Sequence, residues 1–337
     1  MITVDEKNII KKDSINVEFF YKHTKDRFNL KLLNQKDGLK RIINDQNLHR
    51  PGLALAGFVD LYSYNRVQVF GNTEMRYLNR LTSSKRKKAL ENIFKFDIPC
   101  LILTDNNKPL NEMLELASKY KVPIFGTSFP TTKLIFLVSD FLDDQFAPRL
   151  SVHGSFVDVY GVGMLFIGKS GIGKSEVALD LVERGHRLVA DDVVILTKKG
   201  EGILMGAGTD LVKHFMEVRG IGIIDIRSMF GVRAIRFQKR LEIIVELEIW
   251  DENGDYTRTG LDGTKQTLLD VEIPYIKLPI VPGKNITVIS EVIALNYLLR
   301  HYGYDAAQVF KRRLNYRIRQ KMNSVDRVVD YFEHDFE

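Results

Sequence analysis

A single cysteine, Cys100, is all the thiol chemistry that 337 residues carry. One cysteine cannot close an internal disulfide, which excludes the stapled secreted scaffolds and sets a reducing cytoplasm as the expected compartment. Cys100 lies in the apolar string IPCLIL and reads as an inert core thiol. No uninterrupted apolar run approaches the length of a bilayer span, so no membrane partner is expected. The opening MITVDEKNIIKKDSINVEFF lacks the basic-then-apolar order of a secretory signal. Internal repeats and low-complexity tracts are absent as well. The net charge of +6 would suit an acidic partner. Zinc-finger spacing and aromatic-rich RNA-binding strands are missing, however, and nucleic acid is not the expected one. What remains, at 45% apolar and 27% charged residues, is an ordinary soluble composition with length for two domains.

Two stretches carry much of the positive charge. SSKRKK, residues 83–88, precedes the helix-like ALENIF and reads as a solvated helix start. FKRRLNYRIRQKM, near the carboxyl end, repeats Phe310, Leu314, Ile318 and Met322 at intervals of four, one stripe of a helix. Lys311, Arg312, Arg317, Arg319 and Lys321 fill its other faces, suited either to an acidic protein or to solvent.

Earlier in the chain, CLILTD, LNEMLELASKY and VPIFGT alternate strand, helix and strand, the rhythm of a parallel sheet. TTKLIFLVSDFLDDQF places Leu134, Leu137, Val138, Phe141 and Leu142 on one helical face, with Thr131 or Thr132 as its cap. Pro148 ends that helix and the composition shifts. The expected domains are therefore 1–147, an α/β domain, and 148–337. Beyond the boundary, HGSFVDVYGVGMLFIG alternates and pivots on Gly161-Val162-Gly163, which reads as a hairpin.

The most informative string follows. Gly168-Lys169-Ser170-Gly171-Ile172-Gly173-Lys174-Ser175 satisfies G-x-x-x-x-G-K-[ST]. Glycines let successive N–H groups point at phosphate oxygens, and the next helix adds its positive dipole end. Lys174 is suited to neutralising the outer phosphates and the Ser175 hydroxyl to ligating Mg²⁺. The strand-like GMLFI before the loop supports the reading. So does the helix-like SEVALDLVERG after it, with Val177, Ala178, Leu181 and Val182 inward.

Phosphate binding alone does not name a reaction. A guanine-reading N-K-x-D is missing, and DENG at residues 251–254 reads more simply as a turn. Energy-coupling motifs of motors are missing too. HRLVADD does follow, with a helix stop at Gly185 and a short strand, RLVA, suited to the same sheet as the strand before the loop. That strand would deliver Asp191 and Asp192 to the phosphate side. One aspartate could help hold Mg²⁺ and the other could accept a proton from an attacking hydroxyl. On the residues alone, an ordinary turn explains ADD equally well.

VHGSFVDVYGVGMLFIGKSGIGKSE, RGHRLVADD, EVRGIGIIDI and PIVPGKN resemble, in order and spacing, the bacterial HPr kinase/phosphorylase family. FDIPCLILT, VPIFGTSFPTTKLI and DFLDDQFAP extend the likeness into the first domain. The resemblance implies an amino-terminal α/β domain and a P-loop kinase domain similar to the nucleotide-binding part of phosphoenolpyruvate carboxykinases. It implies ATP- and Mg²⁺-dependent phosphorylation of a regulatory serine on HPr, the phosphocarrier of sugar uptake. It also implies the reverse phosphorolysis, in which inorganic phosphate releases pyrophosphate. The family is typically homohexameric.

By the same resemblance, His153 takes an active-site position, although a lone histidine at a strand start is more often structural. Asp192 takes the proton-acceptor position, with Asp191 as its close neighbour. Glu217 in MEVRG matches a second Mg²⁺ ligand, a hard oxygen donor. It belongs with Arg219, Gly220 and Gly222 to a segment, 216–225, needed in both directions. Arg258 in YTRTG matches a catalytic arginine suited to charge on the moving phosphoryl group. Pro279, Pro282, Gly283 and Lys284 fall in a loop tied mainly to phosphorolysis, where the residues alone suggest only a surface turn. The chain departs from the family at TDNNKPL in the first domain. Two other readings stay open, a small-molecule kinase and a nucleotide-sensing module without transfer.

Overall fold

The computed structural model describes residues 9–209, 213–250, 264–281 and 283–323. Arg258, Pro282 and the turn expected at 251–254 lie outside the described residues. The chain divides into two compact units, Ile9–Arg149 and the residues from Leu150 onward.

In the first unit five strands lie in the order Lys31–Leu32, Ile124–Gly126, Leu101–Leu103, Val67–Phe70, Leu48–His49. All neighbours are parallel except the first pair. The expected strand-helix-strand unit is there: Leu101–Leu103, helix Asn111–Tyr120 and Ile124–Gly126. Its strands are apolar on both sides because helices cover both faces of the sheet. Leu101, Leu103 and Ile124 pack with Met113 and Leu116 on one face. Ile102 and Phe125 pack with Leu134, Val138 and Phe141 on the other. Cys100 is fully buried, and burial pushes its thiol pKa far up, which makes it inert.

Helix Thr131–Phe146 buries Leu134, Val138, Phe141 and Leu142, four of the five expected face residues, and half-buries Leu137. Its cap differs from expectation. Pro130 is the N-cap residue and no side chain caps the helix. Thr131 Oγ1 lies 2.6 Å from Thr104 Oγ1 and donates to Asp105 at 3.2 Å, which commits that hydroxyl to the neighbouring loop.

The second unit holds a six-stranded sheet ordered Arg187–Ala190, Ser155–Val159, Val162–Gly168, Ile243–Ile249, Val271–Ile280, Lys265–Leu268. Another sheet places Arg149–His153, Val193–Lys198, Leu204–Gly208 and Gln238–Arg240 side by side in that order. Helices Lys174–Glu183 and Ile286–His301 cover the larger sheet. Val177, Ala178, Leu181, Val182 and Ala294 meet Val157, Met164, Phe166, Val245 and Leu247 in one core. RLVA thus does share a sheet with the strand leading into the glycine loop, through Ser155–Val159 between them.

The hairpin turn sits one step earlier than expected. Val159 pairs with Val162, so Tyr160 and Gly161 form a two-residue turn, at φ of 52° and 86°. Gly163 lies inside the strand opposite Asp158. It is glycine because a Cβ there would stand 1.9 Å from the carbonyl oxygen of Arg240.

Helix Ala306–Asn323 forms where the basic stripe placed it, with Phe310, Leu314 and Ile318 all exposed. The side chain of Met322 lies outside the described residues.

Candidate active site

Strand Val162–Gly168 ends in the loop and helix Lys174–Glu183 starts from it, with Gly173 as N-cap residue. Gly168, Gly171 and Gly173 take φ of 144°, 79° and 102°, a region that side chains rarely adopt. Lys174 Nζ donates to the carbonyl oxygens of Gly168 and Lys169 at 3.2 and 3.1 Å, folding the cation back over the loop. The alternating pattern of Phe215–Val218 buries Met216 and Val218 in the core, which turns Glu217 outward. This strand pairs with Gly222–Asp225, and Arg219, Gly220 and Ile221 make the turn. Arg219 Nη2 lies 3.3 Å from the Ser170 hydroxyl, which accepts its hydrogen bond.

The two aspartates stand where the chain passes from one sheet to the other. Asp191 and Asp192 separate Arg187–Ala190 from Val193–Lys198, and beside them Gly154 separates Arg149–His153 from Ser155–Val159. The Gly154 N–H donates to the Asp192 carbonyl at 3.1 Å, which ties the two crossings together. Asp192 holds φ of 63°, a left-handed conformation that aspartate tolerates better than bulkier residues do.

Neighbours in the chain, the two carboxylates have opposite surroundings. Asp191 is 4% exposed. Its Oδ1 accepts from Ser155 Oγ at 2.5 Å, and Ser175 Oγ lies 3.1 and 3.0 Å from its two oxygens. Burial raises the Asp191 pKa, and the serine hydroxyls and the Asp192 N–H oppose that shift. The Asp192 side chain is 73% exposed, and its Oδ1 lies 3.7 Å from His153 Nδ1.

Ser170, Gly171, Gly173, Lys174, Ser175, Asp191, Asp192, Glu217 and Arg219 therefore line one cavity of about 200 Å³. Two lining residues, Ser155 and Glu176, escaped the sequence reading. Ser155 carried a signal, two positions after His153 in VHGSF, whereas Glu176 looked like ordinary helix surface. Gly168, Lys169 and Ile172 belong to the loop without lining the cavity; Gly220 sits in the exposed turn beyond it and Gly222 opens the strand that follows. Pro279, Gly283 and Lys284 are not among the lining residues. Pro279 is within strand Val271–Ile280 opposite Glu248, not in a loop, and Gly283 has φ of 85°. Lys284 Nζ lies 5.9 Å from the centre of the Trp250 ring.

The donor set suits Mg²⁺. Hydroxyl and carboxylate oxygens from Ser175, Asp191 and Glu217 surround the cavity with no sulfur or imidazole among them. Among the described residues no three His, Cys, Asp or Glu side chains form a cage for a metal. Mg²⁺ usually needs none, being held by one or two carboxylates together with substrate phosphates and water.

Residues 15–142 match the family model of the HPr serine kinase N terminus, and residues 144–314 that of the HPr serine kinase C-terminal domain. A protein of Chloroherpeton thalassium named HPr kinase/phosphorylase is 57% identical over 98% of this chain and 99% of its own. One of the same name from Prosthecochloris aestuarii is 54% identical over 93% of each. The solved Hpr(Ser) kinase/phosphatase of Coxiella burnetii is similar over 48% of this chain and 97% of that one, at 32% identity and a TM-score of 0.43. With both halves matched in order, and with relatives this similar along nearly the whole length, the chain belongs to the HPr kinase/phosphorylase family.

Proposed function

We propose that this chain phosphorylates a serine of HPr with ATP and removes that phosphate by phosphorolysis at the same site. The observation that carries the reading is the pair of unlike aspartates beside the loop. One is buried against Ser175 and one is open beside His153.

In the forward direction the loop's N–H groups and Lys174 hold the outer phosphates of ATP. Asp192 takes the serine proton as the hydroxyl oxygen forms its bond to the γ-phosphorus and the bond to ADP breaks. His153, 3.7 Å away, orients that carboxylate. Arg219 at the loop, and Arg258 by the family likeness, meet the charge on the moving phosphoryl group. Ser175, Asp191 and Glu217 would hold Mg²⁺, which supplies neutralisation of the β- and γ-phosphate oxygens. In reverse, an oxygen of inorganic phosphate attacks the phosphorus of phosphoserine. The bond to serine breaks, protonated Asp192 returns the proton to the serine oxygen, and pyrophosphate leaves.

The test is incubation with labelled ATP, Mg²⁺ and HPr. Labelled serine on HPr is the expected result, and turnover without a protein acceptor would favour a small-molecule kinase instead. Lys284→Ala should depress phosphorolysis more than phosphorylation, since free phosphate has fewer handles than a nucleotide. Equal loss in both directions would remove Lys284 from a phosphorolytic role. Homohexameric assembly in the cytoplasm completes the proposal, and light scattering of the pure protein decides the oligomer.

A further inference from the structure

The first unit contains another cavity, of about 190 Å³, that the phosphoryl chemistry does not use. Its position follows from the topology. Leu101–Leu103 and Ile124–Gly126 are parallel neighbours, and the connections at their carboxyl ends leave toward opposite faces of the sheet. The first leads to helix Asn111–Tyr120, whose Met113 and Leu116 pack on one face. The second leads to helix Thr131–Phe146, whose Leu134 and Val138 pack on the other. Connections that diverge in this way open a crevice between the two strand ends, where open α/β sheets bind their ligands.

The loops around this crevice are stitched together. The Asn106 N–H donates to the Thr127 carbonyl and the Asp105 N–H to the Phe129 carbonyl, each at 3.0 Å. Asn29 Nδ2 donates to Ser128 Oγ at 2.8 Å across the mouth. Asn29, Asp105 and Asn106 all hold positive φ, of 50°, 57° and 58°. Asparagine and aspartate tolerate this conformation better than bulkier side chains do, and it carries the chain through the tight loops around the crevice.

The wall is partly apolar, through Leu33 and Pro109, and its charge is of one sign. Lys31 and Lys108 supply two cations, Asn29 and Asn106 supply amides, and Ser128 supplies a hydroxyl, while Asn107 donates its amide hydrogens to Asn72 Oδ1 and the Thr104 carbonyl at 3.0 and 2.8 Å. No acidic side chain is among the lining residues. The Asp105 carboxylate, next to the rim, accepts instead from the hydroxyls of Thr104 and Thr131 at 2.8 and 3.2 Å. Asn106, Asn107 and Lys108 belong to TDNNKPL, the segment in which this chain departs from its family's pattern.

We propose that this crevice binds a small organic polyanion, a metabolite bearing phosphate or several carboxylates. Two lysines beside the Asn29 and Asn106 amides and the Ser128 hydroxyl suit the oxyanion groups that both classes share. The crevice is a site separate from the glycine loop, built from different residues.

Hydrogen exchange of the full chain, read peptide by peptide, tests this with 3-phosphoglycerate in one arm and citrate in the other. Slowed exchange at residues 105–109 and 126–129 is expected in at least one arm, and the arm identifies the anion class. In a Lys31→Glu, Lys108→Glu double variant the half-saturating concentration should rise about tenfold or more. Both side chains are exposed, and unchanged exchange at residues 101–103 and 168–175 confirms the variant's fold. The proposal is overturned if neither anion slows exchange at the crevice. Slowing confined to residues 168–175, or surviving the double charge reversal, overturns it equally.

Discussion

At the scale of single residues, the division of labour proposed for Asp191 and Asp192 rests on their unequal access to solvent. Asp191 already serves three hydroxyl contacts from two serines and is closed to an incoming substrate. Asp192 faces water with a histidine beside it and is open to an approaching hydroxyl. Asp192→Asn keeps the shape and loses the proposed base, so the kinase rate should fall roughly 10²–10⁴-fold while ATP binding persists. Undiminished turnover, measured with HPr at saturating ATP, would transfer the base role elsewhere. Asp191 makes a different prediction, one of stability. Burial raises its pKa in the folded state above the unfolded value. Its favourable contribution is therefore complete below the unfolded carboxyl pKa and is lost as pH rises through the folded one. Asp191→Asn removes that loss. The Tm of the variant minus that of the parent should climb as pH rises above about 4 and level off once the folded-state pKa is passed. A difference independent of pH would contradict the buried charge.

At the scale of elements, what could be read in advance was whatever local sequence dictates. The loop, the inward face Val177, Ala178, Leu181 and Val182, and the short strand RLVA each depend on residues a few positions apart. Gly163 was misread as part of a turn because its requirement is set by Arg240, a distant partner whose carbonyl oxygen passes against it. Thr131 was misread as a cap because its hydroxyl is claimed by Thr104 and Asp105 from another strand end. Gly163→Ala should thus cost about 2 kcal/mol or more, since backbone rather than a flexible side chain must yield. Denaturant unfolding checks it. A change within about 0.5 kcal/mol, the usual range for surface positions, would show that the two strands separate easily.

At the scale of the whole molecule, the passage of the chain between two sheets was hidden from the sequence. Alternating apolar residues mark a strand but not its neighbours. Nothing in VHGSF or VADDV announces that each string begins in one sheet and ends in another. The same concealment explains why Ser155 was overlooked. It reaches Asp191 only because Ser155–Val159 and Arg187–Ala190 lie side by side. His153 was credited with an active-site role through its family likeness alone, and its distance to Asp192 comes from the paired crossings.

Those paired crossings also govern which changes of length the chain can absorb. One residue added after Gly154 or after Asp192 would shift a strand by one position, turn its side chains to the opposite face and separate the histidine from the aspartate. The tip between Val193–Lys198 and Leu204–Gly208 carries no such constraint. It is exposed and closed by a bond from the Lys199 N–H to the Ile203 carbonyl at 2.9 Å. A Gly-Ser pair inserted after Gly200 should leave the kinase rate within about twofold of the parent, while a single alanine after Gly154 should abolish it. Insertions and deletions accumulating among descendants of this chain are thereby steered to the rim of the second sheet and kept out of the seam.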